Sequence, residues 1–188
     1  MALAALGVLL VLPSSGAAVT IGSDLKGTPS PTSGYGCGID PQTPPCTIQQ
    51  VALPGDPHKT RAPFTGVIRK WRFRTTGDGE TYELRLRVVR RVAPNEWRFI
   101  RHTVHRVAGP DPGTYVFGAH LRIRKGDFIA LDLPGGDQNI QQFYVPHPDA
   151  RHNEWFPAPP DGPVTMPDNH NTGSEYFYNA TVRHRHID

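Results

Sequence analysis

Within residues 81–89, Tyr82, Leu84, Leu86 and Val88 alternate with Thr81, Glu83, Arg85 and Arg87. Further on, Tyr115, Phe117, Ala119, Leu121 and Ile123 alternate with Val116, His120, Arg122 and Arg124. Successive side chains of a β-strand leave on opposite faces, so a strict period of two means one face in a core and the other in water. A helix would repeat its apolar residues at spacings of three and four, and neither segment does. Residues 62–134 are therefore expected to form antiparallel sheet, with arginine as the solvent-side partner of an apolar interior.

The punctuation between such runs fixes the fold class. Turn signals stand at Thr76-Gly77-Asp78-Gly79, Ala93-Pro94-Asn95-Glu96, Gly109-Pro110-Asp111-Pro112-Gly113 and Lys125-Gly126-Asp127. The intervening runs predict strands at 47–53, 65–75, 81–93, 97–107, 114–124, 128–133, 141–145 and 175–185, with a short one at 164–166. Eight or nine strands without a helical segment between them predict an all-β chain, an antiparallel β-sandwich or jelly roll. The chain is 188 residues long, which suits one domain with a real core. Residues 146–173, rich in Pro, Asp, Asn and His, read as a long binding-type loop.

The N-terminal part speaks to compartment. An apolar run over 3–12 is broken by Pro13, Ser14, Ser15 and Gly16, and Gly16-Ala17-Ala18 supplies small residues for cleavage. Residues 1–18 are thus expected to be a secretory signal peptide, although no Lys or Arg precedes Lys26. The run is shorter than the roughly twenty residues a bilayer span requires. Cys37 and Cys46 are the two cysteines of the chain, and in an oxidising compartment they would pair with each other. That disulfide would staple an N-terminal arm over 19–46, leaving 47–188 as the sandwich domain. A secreted, extracellular or cell-surface location follows from the two features together.

Charge is unevenly spread. Residues 59–125 carry a net charge of +11, and residues 126–188 carry −6. The basic stretch can serve an anionic ligand or meet the acidic tail of the same molecule. Arg85, Arg87, Arg122 and Arg124 share the polar phase of two strands, with Lys70, Arg72 and Arg74 able to join them. If the strands are neighbours, the guanidinium groups form a ladder suited to carboxylate, sulfate or phosphate. Otherwise they form a solvated face. A second candidate surface combines Trp155 with Asp168, Asn169, Tyr176 and Tyr178, since planar rings beside polar groups suit sugars. The alternative is that the Trp155 ring pins its loop to the sandwich.

Two segments resemble parts of a known group. Ala62-Pro63-Phe64-Thr65-Gly66-Val67-Ile68 leading to Trp71, and the run from Leu121 through Lys125-Gly126-Asp127 to Asp132, are similar to stretches of secreted bacterial jelly-roll domains. That group includes carbohydrate-binding-module-like domains and many members with no assigned activity. The resemblance covers about 62–133 and consists of core-strand and turn residues, so it implies a fold and transfers no functional residue.

Several chemistries lack their residues. After Ser33 the only serine is Ser174, outside any Gly-x-Ser-x-Gly elbow, and both cysteines are expected to be oxidised. No glycine-rich phosphate loop, dinucleotide fingerprint or HExxH pattern occurs, and no cofactor is expected. For metals, His184 and His186 would share a strand face, and Asp132, Asp137 and Asn139 could offer oxygens to calcium, but no ligand loop of fixed spacing is present. Glycoside hydrolysis needs a pair of carboxylates, and Glu83 has no second acid at i+2 or i+4 on its strand. Tyr82-Glu83-Leu84-Arg85 is similar to the arginine-containing strand of jelly-roll alginate lyases, without the Gln-x-His and Tyr-Phe-Lys motifs expected beside it. The resulting expectation is a secreted, non-catalytic binding or surface-structural module for extracellular polysaccharide or cell-wall polymer. A lyase acting on acidic polysaccharide, and an adhesion or assembly subunit, are the alternatives. Nucleic acid would bind a basic ladder by charge, but secretion argues against it as a physiological partner.

Overall fold

The alternation of residues 81–89 is realised as a strand whose Leu84, Leu86 and Val88 are fully buried in the main core. A computed structural model describes residues 18–30, 44–56, 58–77, 81–133 and 143–184. Within them run twelve strands: β1 (Ala18–Gly22), β2 (Cys46–Ala52), β3 (Gly66–Thr75), β4 (Tyr82–Ala93), β5 (Glu96–His102), β6 (Arg106–Ala108), β7 (Gly113–Ile123), β8 (Phe128–Leu133), β9 (Tyr144–Trp155), β10 (Val164–Thr165), β11 (Asn169–Tyr176) and β12 (Tyr178–His184). The small sheet has the order β1-β12-β3-β7, and the large one β10-β5-β4-β8-β2-β9-β11, with β6 added on β4. The pairings are antiparallel, and the two sheets pack as a β-sandwich, as the period-two runs require. Among the described residues no helix is long and apolar enough to cross a membrane.

The main core lies between the sheets. Ile21, Ile68, Trp71, Phe73, Leu121, Tyr178, Ala180 and Val182 come from the small sheet, and Ile48, Leu86, Ile129 and Leu131 from the large one. Trp71 against Phe117 and Phe73 against Phe143 meet at ring-centroid distances of 4.5 and 5.1 Å, in tilted geometries that aromatic pairs favour. Gly66 allows the close approach of β3 to β12: a Cβ there would sit 2.2 Å from the Arg183 carbonyl oxygen. At the β4–β5 hairpin Asn95 adopts a φ of 60°, which asparagine tolerates better than most residues.

A second, smaller core sits on the far side of the large sheet. Val89, Trp97, Phe99, Phe128, Ala130 and Trp155 form it. The Trp155 ring on β9 lies 5.1 Å from the Phe99 ring on β5. Those strands are four steps apart in the sheet, roughly 19 Å if it were flat. The large sheet therefore curls round this cluster. The segment after β9 crosses the opening, held where Ala158 N–H donates to the Pro45 carbonyl and Gly162 N–H to that of Phe99.

Three expectations change. Among the described residues the strands number twelve instead of eight or nine. Residues 18–22, expected at the signal and arm, are a strand paired with β12. The stretch 146–173, expected as loop, is mostly strand: β9 and β11 pair along their length, with a register shift between Thr172 and Gly173. Cys46 is buried in the main core, and its expected partner, Cys37, lies outside the described residues.

Candidate functional site

The arginines of the central stretch fall into two populations because β4 and β7 belong to different sheets. On β4, Arg85 and Arg87 project toward β8. Asp132, buried at the paired position, accepts from Arg85 Nε at 2.8 Å and from the Thr47 hydroxyl at 2.7 Å. Its Oδ2 also lies 3.4 Å from Arg87 Nη1. The Arg87 side chain is only 1% exposed, stacks 4.3 Å over the Phe99 ring, and donates to the Pro159 carbonyl and to Asp161. His102 Nδ1 stands 2.8 Å from the other Asp161 oxygen. Burial alone would raise the Asp161 pKa, but the hydrogen bond and charge of Arg87, with His102, outweigh it and hold the carboxyl below its usual range. Nearby, Arg90 grips Asp127 through two bonds of 2.7 and 2.9 Å, which raises the arginine pKa against the opposing effect of burial.

This corrects the expectation of a single arginine ladder. Arg85 and Arg87 are both held by internal ion pairs: Arg87 is enclosed, and Arg85, partly exposed, has its Nε and Nη2 edge on Asp132. Asp132 has its oxygens taken by Thr47, Arg85 and Arg87, which removes it as a calcium ligand candidate. Asp137, Asn139 and His186 lie outside the described residues. His184 is exposed and stacks 4.8 Å from Phe64. Among the described residues no group of three or more His, Cys, Asp or Glu is placed to hold a metal.

The aromatic surface is corrected as well. Trp155, Tyr176 and Tyr178 are 1%, 5% and 1% exposed, so none presents a ring to a sugar. Tyr176 and Tyr178 end and begin strands of different sheets, the chain crossing between them at the buried Phe177. Trp155 packs inside the curl at the end of β9, where the alternative reading had it pinning a loop to the sandwich. Asp168 is occupied as acceptor for the Phe156 N–H, and Asn169 leans on Glu154. Behind them lies a buried group that the sequence did not reveal. His152 Nε2 stands 3.2 Å from Glu154 Oε1 and 3.4 Å from the Tyr176 hydroxyl, and Asn171 donates to Glu154 Oε2 at 2.8 Å. Burial, reinforced by the Glu154 charge, pushes the Tyr176 pKa well above the usual phenol range.

The other population remains open to ligand. The four strands of the small sheet carry Arg69, Lys70, Arg72, Arg74, Arg122 and Arg183 and no Asp or Glu. Lys70, Arg72 and Arg74 point away from the core because Trp71 and Phe73 point into it. Across the ladder, Lys70 sits opposite Thr181 and Gly118, and Arg72 opposite Asn179 and Val116. Val67 lies between Arg183 on one side and Arg122 on the other. Val116, on the edge strand β7 of this face, is 59% exposed. Among the described residues, no carboxylate pairs with any of these six cations. Arg69 donates instead to Nδ1 of His120 at 2.8 Å. Arg124, just past β7, is exposed, and its N–H donates to Asp127. Arg183, Asn179 and Thr181 were missed from sequence, although Tyr178, Ala180 and Val182 alternate with them.

Compared with known protein families, curated proteins and solved structures, the chain matches none of them.

Proposed function

We propose that the protein is a secreted, non-catalytic module that holds an anionic extracellular or cell-wall polysaccharide against the outer face of the small sheet. The carrying observation is the charge sorting. Six basic residues and no acid lie on four neighbouring strands, whereas Arg85, Arg87 and Arg90 meet carboxylates. A pleated sheet face with cations in adjoining rows suits an extended polymer better than a small molecule, because charge is offered along the strands. Three of the acids that an assembly of copies would use, Asp127, Asp132 and Asp161, already hold arginines within the molecule.

The test is retention on immobilised polygalacturonate and heparin, beside a neutral glucan. The module should bind the acidic matrices and pass through the neutral one. It should also elute as salt rises past about 0.1 M, where exposed charges more than about 10 Å apart are screened. Replacing Lys70, Arg72 and Arg74 together by glutamate should abolish retention, and replacing Arg98 and Arg101 on the large sheet should not. Passage of the native protein through every acidic matrix would remove the reading.

A further inference from the structure

Arg72 and Arg74 differ from Lys70, Arg122 and Arg183 in how they are held. Both are half-buried, while Arg69, Lys70, Arg122 and Arg183 are exposed. Arg72 Nη1 donates to Asn179 Oδ1 at 3.2 Å and to Thr181 Oγ1 at 3.3 Å. Arg74 Nη1 donates to the backbone carbonyl of Leu25. All of these acceptors are uncharged, so each guanidinium is fixed in place without being neutralised. In both residues the Nε and Nη2 edge meets no partner among the described residues. The two side chains leave the same face of β3 two residues apart, roughly 7 Å along the strand.

That arrangement is more specific than a positive patch. A guanidinium has its donors in one plane, and two of them along an edge match the two oxygens of a carboxylate in parallel. Tethering through the remaining nitrogen removes part of the side-chain freedom that binding would otherwise have to freeze. Lys70, Arg122 and Arg183 make no such tether, so they contribute long-range attraction only.

We infer that Arg72 and Arg74 are two prealigned carboxylate receptors, each taking one carboxylate of a uronate-type polymer side-on through Nε and Nη2. The inference rests on the polyanion reading above and narrows it: the module reads consecutive carboxylates, not charge density alone. Asn179 and Thr181 are positioning residues for Arg72, and the Leu25 carbonyl serves Arg74 in the same way.

The decisive comparison keeps net charge constant. The double variant Arg72→Lys/Arg74→Lys retains both charges and loses both planar edges. The control Arg122→Lys/Arg183→Lys makes the same chemical change where no tether exists. Affinity for polygalacturonate should fall about tenfold in the first and less than about twofold in the second. Urea midpoints of both variants, measured alongside, should match the native protein, showing that the loss is not a folding defect. Equal affinities in the two variants would overturn the receptor assignment and leave the polyanion reading standing. A native protein that prefers heparin to polygalacturonate, with Arg72→Lys/Arg74→Lys weakening only heparin binding, would overturn the choice of carboxylate. Failure of the native protein to bind either polymer would instead bring down the underlying reading and the inference with it.

Discussion

Arg87 and Arg72 each sit on a middle strand of a sheet, yet they do opposite things. Arg87 is enclosed between Phe99, Asp132, Pro159 and Asp161, and its charge is balanced within the fold. Arg72 is braced by an amide and a hydroxyl, so its charge is left over. The difference lies in what faces each strand. Across from β4 stands β8 with Asp132, and the segment leaving β9 brings Asp161; across from β3 stand β7 and β12, which have no acid. An arginine on a pleated sheet is structural or available according to its neighbours, not its own phase.

The largest way to sharpen this comparison is to delete the acid. Asp132→Ala removes one of the two carboxylates at the buried Arg87, together with the acid that Arg85 and the Thr47 hydroxyl share, and should lower stability by about 3–5 kcal/mol, read as a shifted urea midpoint. A shift no larger than that of a surface substitution would mean that Asp161 alone balances Arg87. Next comes the alkaline limb. Burial raises the Tyr178 phenol pKa despite the N–H of Gln50 donating to its oxygen, and Tyr176 is raised too. Both must stay neutral to fold, so their contribution is whole below the unfolded value near 10 and is lost as pH rises toward the folded values. Unfolding midpoints should therefore drop steeply above about pH 10, which a pH series in urea would record.

A smaller effect is expected at Asp161. Its lowered pKa means a stabilisation present above about pH 4 and lost on acidification through the folded value. Asp161→Asn should cost about 1 kcal/mol at neutral pH, discounted because the carboxylate is partly exposed, and should flatten the acid limb of the stability curve. Smallest of all, Arg72→Gln or Arg74→Gln should move stability by no more than about 0.5 kcal/mol while weakening polymer retention. Were it to destabilise as much as Asp132→Ala, the small-sheet cations would be structural like their counterparts.

The sequence disclosed the faces of the strands but not their neighbours. Tyr82 to Val88 and Tyr115 to Ile123 alternate cleanly, and β4 and β7 follow them. Period two says whether Arg85 or Arg122 points outward within its own strand; it cannot say which strand lies alongside, and these two lie in different sheets. The acid partners are 37 to 74 positions away in the chain, so pairing was invisible. The stretch 146–173 looked like loop because β9 buries His152, Asn153 and Glu154. Strands whose interior side is polar and hydrogen-bonded carry no hydrophobic alternation to read. Nor does a curl in the large sheet leave a periodic trace, which is why the sequence left Trp155 in a loop, open to either reading.

The crossing at Phe177 has a mechanical consequence. Its N–H donates to the Phe143 carbonyl, its own carbonyl accepts from Arg74 N–H, and within one residue the chain leaves one sheet and begins β12 of the other. A filament gripped along β3 and pulled lengthwise would load the ladders on both flanks in shear, so many bonds resist together instead of parting one by one. Load on β3 would therefore pass to the large sheet at this one-residue crossing as well as through the links from β3 to β4 and from β7 to β8.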